Sequence, residues 1–165
     1  MQEGRQTTRM IHDDHVASIG LLNELETLLS RNRSSGPAPS GPGLANFLRS
    51  LASNLERDVT RHFDFEQGRL FPLLGDGGDS DIALLLTDEH DGIRDVATRL
   101  AAAANAAREN GFAQGWKEFH QLSREYIERQ ISHIQKEEMA LLPMLEDLLD
   151  EETDAELSQA YAETR

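Results

Sequence analysis

Two stretches of this chain carry residues whose types and spacing suit metal chemistry. In His62-Phe63-Asp64-Phe65-Glu66 and again in His133-Ile134-Gln135-Lys136-Glu137, a histidine and a glutamate stand four residues apart. On a helix each pair projects from one face, one turn apart. The echo runs further, because His62 to Pro72 aligns with His133 to Pro143 and His, Glu, Leu and Pro recur at the same offsets. A twice-repeated His-x-x-x-Glu on apolar helices implies two ligand pairs facing one another. Neither His-Glu-x-x-His nor the Glu-x-x-His of ferritin-like sites occurs in the chain.

The elements that must position these pairs follow from apolar periodicity. Ile11, His15, Ile19, Leu22, Leu25 and Leu29 repeat at three and four residues, which predicts an amphipathic helix over 8–31 with His15 on its apolar stripe. Arg33 to Gly43 is a Ser/Pro/Gly linker, long enough to predict mobility. A second helix from Leu44 carries His62 and Glu66 on its buried face and ends near Pro72, before a glycine- and aspartate-rich loop at 75–81. A third, through Ile82, Leu86, His90, Ile93, Ala97 and Leu100, stops at Asn110-Gly111. The fourth starts near Phe112 or Ala113 and carries Trp116, Phe119, Tyr126, His133 and Glu137 to Pro143, which is expected to kink or end it. The expected fold is all-α, an up-down-up-down four-helix bundle over residues 1–150, with 151–165 an acidic C-terminal tail or short helix.

Helix arithmetic tests whether the ligands meet. At about 1.5 Å per residue, the centre of the His62/Glu66 pair lies roughly 12 Å before the turn that follows it, and His90 roughly 13 Å after that turn on the antiparallel neighbour. His15 and the His133/Glu137 pair fall at the same level. A lone histidine on an apolar face is most often a hydrogen-bonded core residue, but four histidines and two glutamates agreeing in height are not explained that way. Without a cation, two buried carboxylates would each cost on the order of several kcal/mol in desolvation. Imidazole and carboxylate without thiolate suit iron, manganese or zinc. Two glutamates can bridge two ions with two histidines on each, leaving positions for an oxo or hydroxo bridge and a small exogenous ligand. Two iron ions are the favoured content, with His15, His62, Glu66, His90, His133 and Glu137 as metal ligands. Tyr126, His12 and Asp58 are candidates for an extra ligand or for orienting one. For Tyr126 the plain reading is a core tyrosine, and for His12 an exposed one. Glu89 and Glu138 adjoin ligands but point about 100° away from them.

Composition narrows the partners. The 165-residue chain has a formal net charge of -14, which disfavours nucleic acid and anionic membrane. Much of the acidity lies between Glu146 and Glu163, where it reads as a solvated helix end or tail. With no cysteine, disulfides, thiolate zinc, iron–sulfur clusters and cysteine nucleophiles are excluded. Met1 to Met10 lacks the apolar core of a signal peptide and no run reaches transmembrane length, so a cytoplasmic protein is the expectation.

The ordered series His15, His62-x-x-x-Glu66, His90, His133-x-x-x-Glu137, with Arg69-Leu70-Phe71-Pro72 and Asp88-Glu89-His90, resembles the hemerythrin-like, or HHE cation-binding, domain from His15 to Pro143. The resemblance implies a non-haem di-iron centre that binds dioxygen, nitric oxide or peroxide, or that handles iron. Oxygen-carrying hemerythrins have a further histidine four residues beyond the one on the third helix, and Arg94 stands there in this chain. Two functions stay open at this level: a di-iron protein that binds or consumes small oxidants in oxidative or nitrosative stress, and an iron- or oxygen-sensing or storage module without turnover. A plain interaction bundle is the non-metal alternative. The electron donor and oligomeric state are not specified by the sequence.

Overall fold

The computed structural model describes residues 4–77 and 80–165, with no strand among them. Helix α1 spans Gln6–Arg31. Helix α2 is a composite rod of α-helical Leu44–Ser53, π-helical Asn54–Asp58, α-helical Val59–Phe65 and π-helical Glu66–Leu70, passing into a 3₁₀ turn at Phe71–Gly77. Helix α3 is Ser80–Asn110. Helix α4 comprises Trp116–Lys136, a π-helical turn at Glu137–Leu141, and Leu142–Leu148. Helix α5 is Glu151–Glu163. The first four make the up-down-up-down bundle.

Local chemistry explains the ends. Gly111 takes a left-handed φ of 73° and its N–H donates to the Ala107 carbonyl, so α3 stops at Asn110-Gly111 as the glycine predicts. The expected loop at 75–81 begins as the 3₁₀ turn, and residues 78 and 79 lie outside the described residues. Pro143 neither ends nor breaks α4, which continues to Leu148. The π turn ahead of it explains why: the Leu142 N–H reaches back to the Glu137 carbonyl, and a proline's missing N–H is tolerated where the regular ladder is already displaced. The same wide turn begins at Glu66, where the Phe71 N–H bonds its carbonyl. Each repeated His-x-x-x-Glu thus ends in a π turn opened by its own glutamate.

The core divides in two. The larger apolar cluster joins Leu22, Leu25, Leu51, Leu55, Phe63, Ile93, Leu100, Phe119 and Tyr126. The smaller joins Met10, Ile11, Phe65, Leu70, Leu86, Leu141, Leu145, Leu157 and Tyr161 at the opposite end. In sequence position, His15, His90, His133 and Glu137 fall between the two on α1, α3 and α4, and on α2 His62 and Glu66 flank Phe63 and Phe65, where the larger cluster gives way to the smaller. They form a polar layer closed above and below by hydrocarbon.

The C-terminal acidity has a structural use. Helix α5 packs along α1 and buries Asp154, Leu157 and Tyr161. Helix α1 has no side-chain cap of its own at Arg5. Its orphan N–H groups are satisfied from the other end of the chain: Gln6 and Thr7 donate to the Asp154 carboxylate at 2.9 and 2.8 Å, and the Arg5 N–H donates to Glu146 at 2.9 Å. Two acids that read as solvated in the sequence are therefore caps, placed where the helix dipole favours negative charge. Burial would raise the Asp154 pKa, but the Thr7 and Gln6 hydrogen bonds and the Arg5 charge outweigh it and hold it below the usual value. A carboxyl depressed in the folded state stabilises above its unfolded pKa, near 3.9, and loses that contribution as pH falls through the folded value. Asp154→Ala is expected to cost about 1 kcal/mol at pH 7, or roughly 3 °C in Tm. Thermal melts of the two proteins should converge well below pH 3.9; a pH-independent gap would contradict the capping account.

Candidate metal centre

The polar layer brings the six predicted residues together. Two four-residue groups have donor atoms all within 4.8 Å of one another: His15, His62, Glu66 and Glu137 in one, Glu66, His90, His133 and Glu137 in the other. All six are buried, and both glutamates have 0 % relative exposure. The groups share the glutamates. Glu137 divides its oxygens, with Oε2 3.4 Å from His15 Nε2 and 3.9 Å from His62 Nε2, and Oε1 facing His133 Nε2 and lying 3.7 Å from His90 Nε2. Glu66 Oε1 lies 3.3 Å from both His62 Nε2 and His90 Nε2. Every imidazole points its Nε2 inward.

The Nδ1 atoms are held by a rule that repeats in both halves of the chain. The residue before each single histidine holds the histidine of the following His-x-x-x-Glu: His62 Nδ1–H donates to Asp14 at 3.2 Å and His133 Nδ1–H to Glu89 at 2.9 Å. The residue after each glutamate holds the single histidine of the other half: His90 Nδ1–H donates to Gln67 at 2.8 Å and His15 Nδ1–H to Glu138 at 2.9 Å. An N–H fixed at Nδ1 leaves Nε2 as a free lone pair and sets the ring plane, as imidazole metal ligands require.

The donor set fits a cation. His15 Nε2 and all four carboxylate oxygens of Glu66 and Glu137 are buried without a hydrogen-bond partner. Buried polar atoms are rarely left so unless they serve a binding purpose. Charge agrees: burial opposes protonation of His62, yet Glu66, Asp14 and Glu137 hold its pKa well above the ordinary value. Burial likewise opposes charging His133, and Glu137, Glu66 and Glu89 outweigh it. The layer favours positive charge, which a bound cation would supply.

The surroundings of the two groups differ. Phe63 stacks on His90 with ring centroids 3.7 Å apart, and Phe71 lies 5.4 Å from it on a second stack. A cleft of about 600 Å³ instead reaches His15, His62, His133 and Glu137, and is also lined by Arg57, Arg61 and Asp58.

The remaining sequence candidates lie outside the inward-facing donor set. His12 is exposed but donates to Glu138 at 2.8 Å, so it steadies the carboxylate that holds His15. Asp58 is exposed and accepts from Asn54; Asp14, with Tyr161, takes the place beside His62 that Asp58 was a candidate for. Tyr126 is buried in the larger apolar cluster, where burial pushes its hydroxyl pKa up. The tyrosine that reaches the site is Tyr161, whose O–H donates to Asp14 and whose oxygen lies 3.3 Å from His62 Nδ1. Arg94 donates to Asp64 at 2.7 Å and Gln67 at 3.3 Å and covers the Phe63 ring, so it braces the residues around His90. Asp14, Gln67 and Tyr161 were missed in the sequence. The internal repeat pointed to Gln67, which aligns with Glu138; nothing short-range pointed to Tyr161.

A four-helix bundle with a buried His/Glu cation site in its core defines the class of protein. The hemerythrin HHE cation binding domain matches residues 6–145, and the chain belongs to that family. No curated protein sequence matches the chain.

Glu89→Ala removes the partner of His133 Nδ1 without touching an inward donor. It is expected to weaken metal binding about 10- to 100-fold while leaving helix content intact, measured by competition with a chelator and by circular dichroism. Wild-type affinity in this variant would remove the orienting role.

Proposed function

We propose that the chain holds two iron ions in the polar layer and binds or reacts with small oxidants, namely dioxygen, peroxide or nitric oxide. The observation that carries this reading is the sharing of Glu66 and Glu137 between two overlapping four-donor groups. One cation among six converging ligands would leave donors of one group unpartnered, whereas two cations satisfy both carboxylates. A donor set of four imidazoles and two carboxylates with no thiolate suits iron, manganese or zinc, and iron is favoured among them because two carboxylates shared symmetrically between two ions are the arrangement used for oxygen chemistry. Bound iron would supply redox capacity and positions open to a small ligand.

The chain's own residues do the rest. Glu66 and Glu137 bring negative charge into a buried layer, and the four Nδ1 partners fix the imidazoles before any cation arrives. The cleft beside His15 and His62 gives small molecules a path, while the Phe63 and Phe71 rings close the His90 side. A role in oxidative or nitrosative stress defence follows from such chemistry. The second reading, iron or oxygen sensing or storage without turnover, uses the same ligands and differs only in the fate of the bound oxidant.

Protein expressed with iron should retain about two iron ions per chain and show charge-transfer absorption that changes on adding peroxide, oxygen or nitric oxide. Sustained consumption of the oxidant marks turnover, and a lasting spectral change without consumption marks a sensor or store. Metal should raise Tm by roughly 10–20 °C at free iron about 100-fold above the Kd of both sites, since ligand binding to the folded state alone contributes about 2.7 kcal/mol per site there. Glu137→Ala should abolish both the paired uptake and that rise. An iron-free wild type whose melting ignores chelators would return the bundle to a plain interaction role.

A further inference from the structure

The two halves of the metal layer obey one rule, so any departure from it stands out. Asp14 and Glu89 are equivalents: each precedes a single histidine and each accepts from the Nδ1 of the histidine in the following His-x-x-x-Glu. Glu89 is completed from within the bundle, by Lys136 of α4. Asp14 draws on Arg61 of α2, 3.5 Å from its Oδ2, and also on the C-terminal segment with α5. The Tyr161 hydroxyl donates to Asp14 Oδ2, the same oxygen that takes the His62 Nδ1–H, and Arg165 donates to Asp14 Oδ1 at 3.3 Å. Tyr161 has 0 % relative exposure, packs on Phe65 at 4.5 Å between ring centroids, and meets the His62 ring edge-on at 6.4 Å. It lies outside residues 6–145, where the family resemblance ends.

We infer that Tyr161 is a positioning residue of the metal layer, and that through Asp14 it makes the His15/His62 position unlike the His90/His133 position. Three features carry this. The hydroxyl, the Asp14 carboxylate and the His62 N–H form a closed triangle, so the His62 ring cannot turn without breaking a buried hydrogen bond. Asp14 takes a neutral O–H donor in addition to the guanidinium groups of Arg61 and Arg165, whereas Glu89 takes the Lys136 ammonium and, among the described residues, no hydroxyl, so His62 and His133 meet carboxylates that are held in different ways. Finally, α5 is anchored independently, by Asp154 at the α1 N-terminus and Leu157 in the smaller apolar cluster. The tyrosine is therefore delivered to His62 by packing that needs no metal. The inference rests on the two-ion reading above.

The test is anaerobic titration of metal-free protein with Fe(II), comparing wild type, Tyr161→Phe, Asp14→Asn and, as a control, Tyr126→Phe, which alters a buried tyrosine of the other cluster. In wild type two uptake steps are expected. Tyr161→Phe and Asp14→Asn should weaken one step about 10- to 100-fold and leave the other unchanged, and Tyr126→Phe should leave both. Proton NMR of the Fe(II)-loaded protein supplies a readout that a loss of general stability would not imitate. Of the solvent-exchangeable, paramagnetically shifted imidazole N–H signals, Tyr161→Phe should move the one from His62 and leave that of His133 in place. Melts of the metal-free variants establish that they fold, and Asp14→Asn carries the test if Tyr161→Phe does not. Wild type and Tyr161→Phe with identical two-step uptake and identical N–H signals would overturn the inference while the two-ion reading stands. A wild type that takes up no iron, or only one ion, would overturn the two-ion reading and this inference with it.

Discussion

Two glutamates with no exposure, set in a layer sealed by hydrocarbon on both sides, are the constraint around which this fold is arranged. A carboxylate there is tolerable only with compensating positive charge, because burial removes the water that would otherwise solvate it. The compensation cannot come from one helix, since the oxygens of Glu137 face histidines on α1 and α2 on one side and on α3 and α4 on the other. All four helices must present donors at one height. That requirement fixes the relative register of the bundle more tightly than apolar packing does, because leucines tolerate a shift of a turn and ligands do not. The π turns at Glu66 and Glu137 belong to the same adjustment, each altering the helix path immediately after its ligand pair.

The hydrogen bonds at Nδ1 add a second level of organisation. Asp14 and Glu89 act within their own halves, while Gln67 and Glu138 reach across, so the halves are cross-linked through the imidazoles they both supply. The scheme also explains why acids that flank ligands in sequence, pointing off the ligand face, are not idle. A side chain turned about 100° from one helix's ligand face is turned toward the neighbouring helix, and there it finds the neighbour's histidine.

Much of this was legible in the sequence. The repeated His-x-x-x-Glu, the heights of His15 and His90 and the apolar stripes gave the bundle and the composition of the layer, because helix geometry converts spacing into position directly. Contacts set by tertiary packing were not legible. Tyr126 shares a face with His133, but its plain reading is a core tyrosine, and in the larger apolar cluster it is one. Tyr161 looked remote because the chain must turn after Leu148 and run back along α1 before it can meet His62, and no local signal specifies that return. The acids at Glu146 and Asp154 read as solvated for the same reason: their partners are N–H groups at the opposite end of the sequence.

Arg94 shows how one position can change the character of a site without entering it. The resemblance to oxygen-carrying hemerythrins made this the place of a further histidine. The guanidinium fills that neighbourhood in another way, bonding Asp64 and Gln67 and lying 5.4 Å over the Phe63 ring, which in turn stacks on His90. Arginine here holds the amide that holds His90, and clamps the aromatic wall against it. The cleft lies elsewhere, reaching His15 and His62, where Asp14 and α5 set the surroundings. A histidine at 94 could add a donor but would lose the guanidinium contacts to Asp64 and Gln67, and with them the brace on the Phe63 wall beside His90.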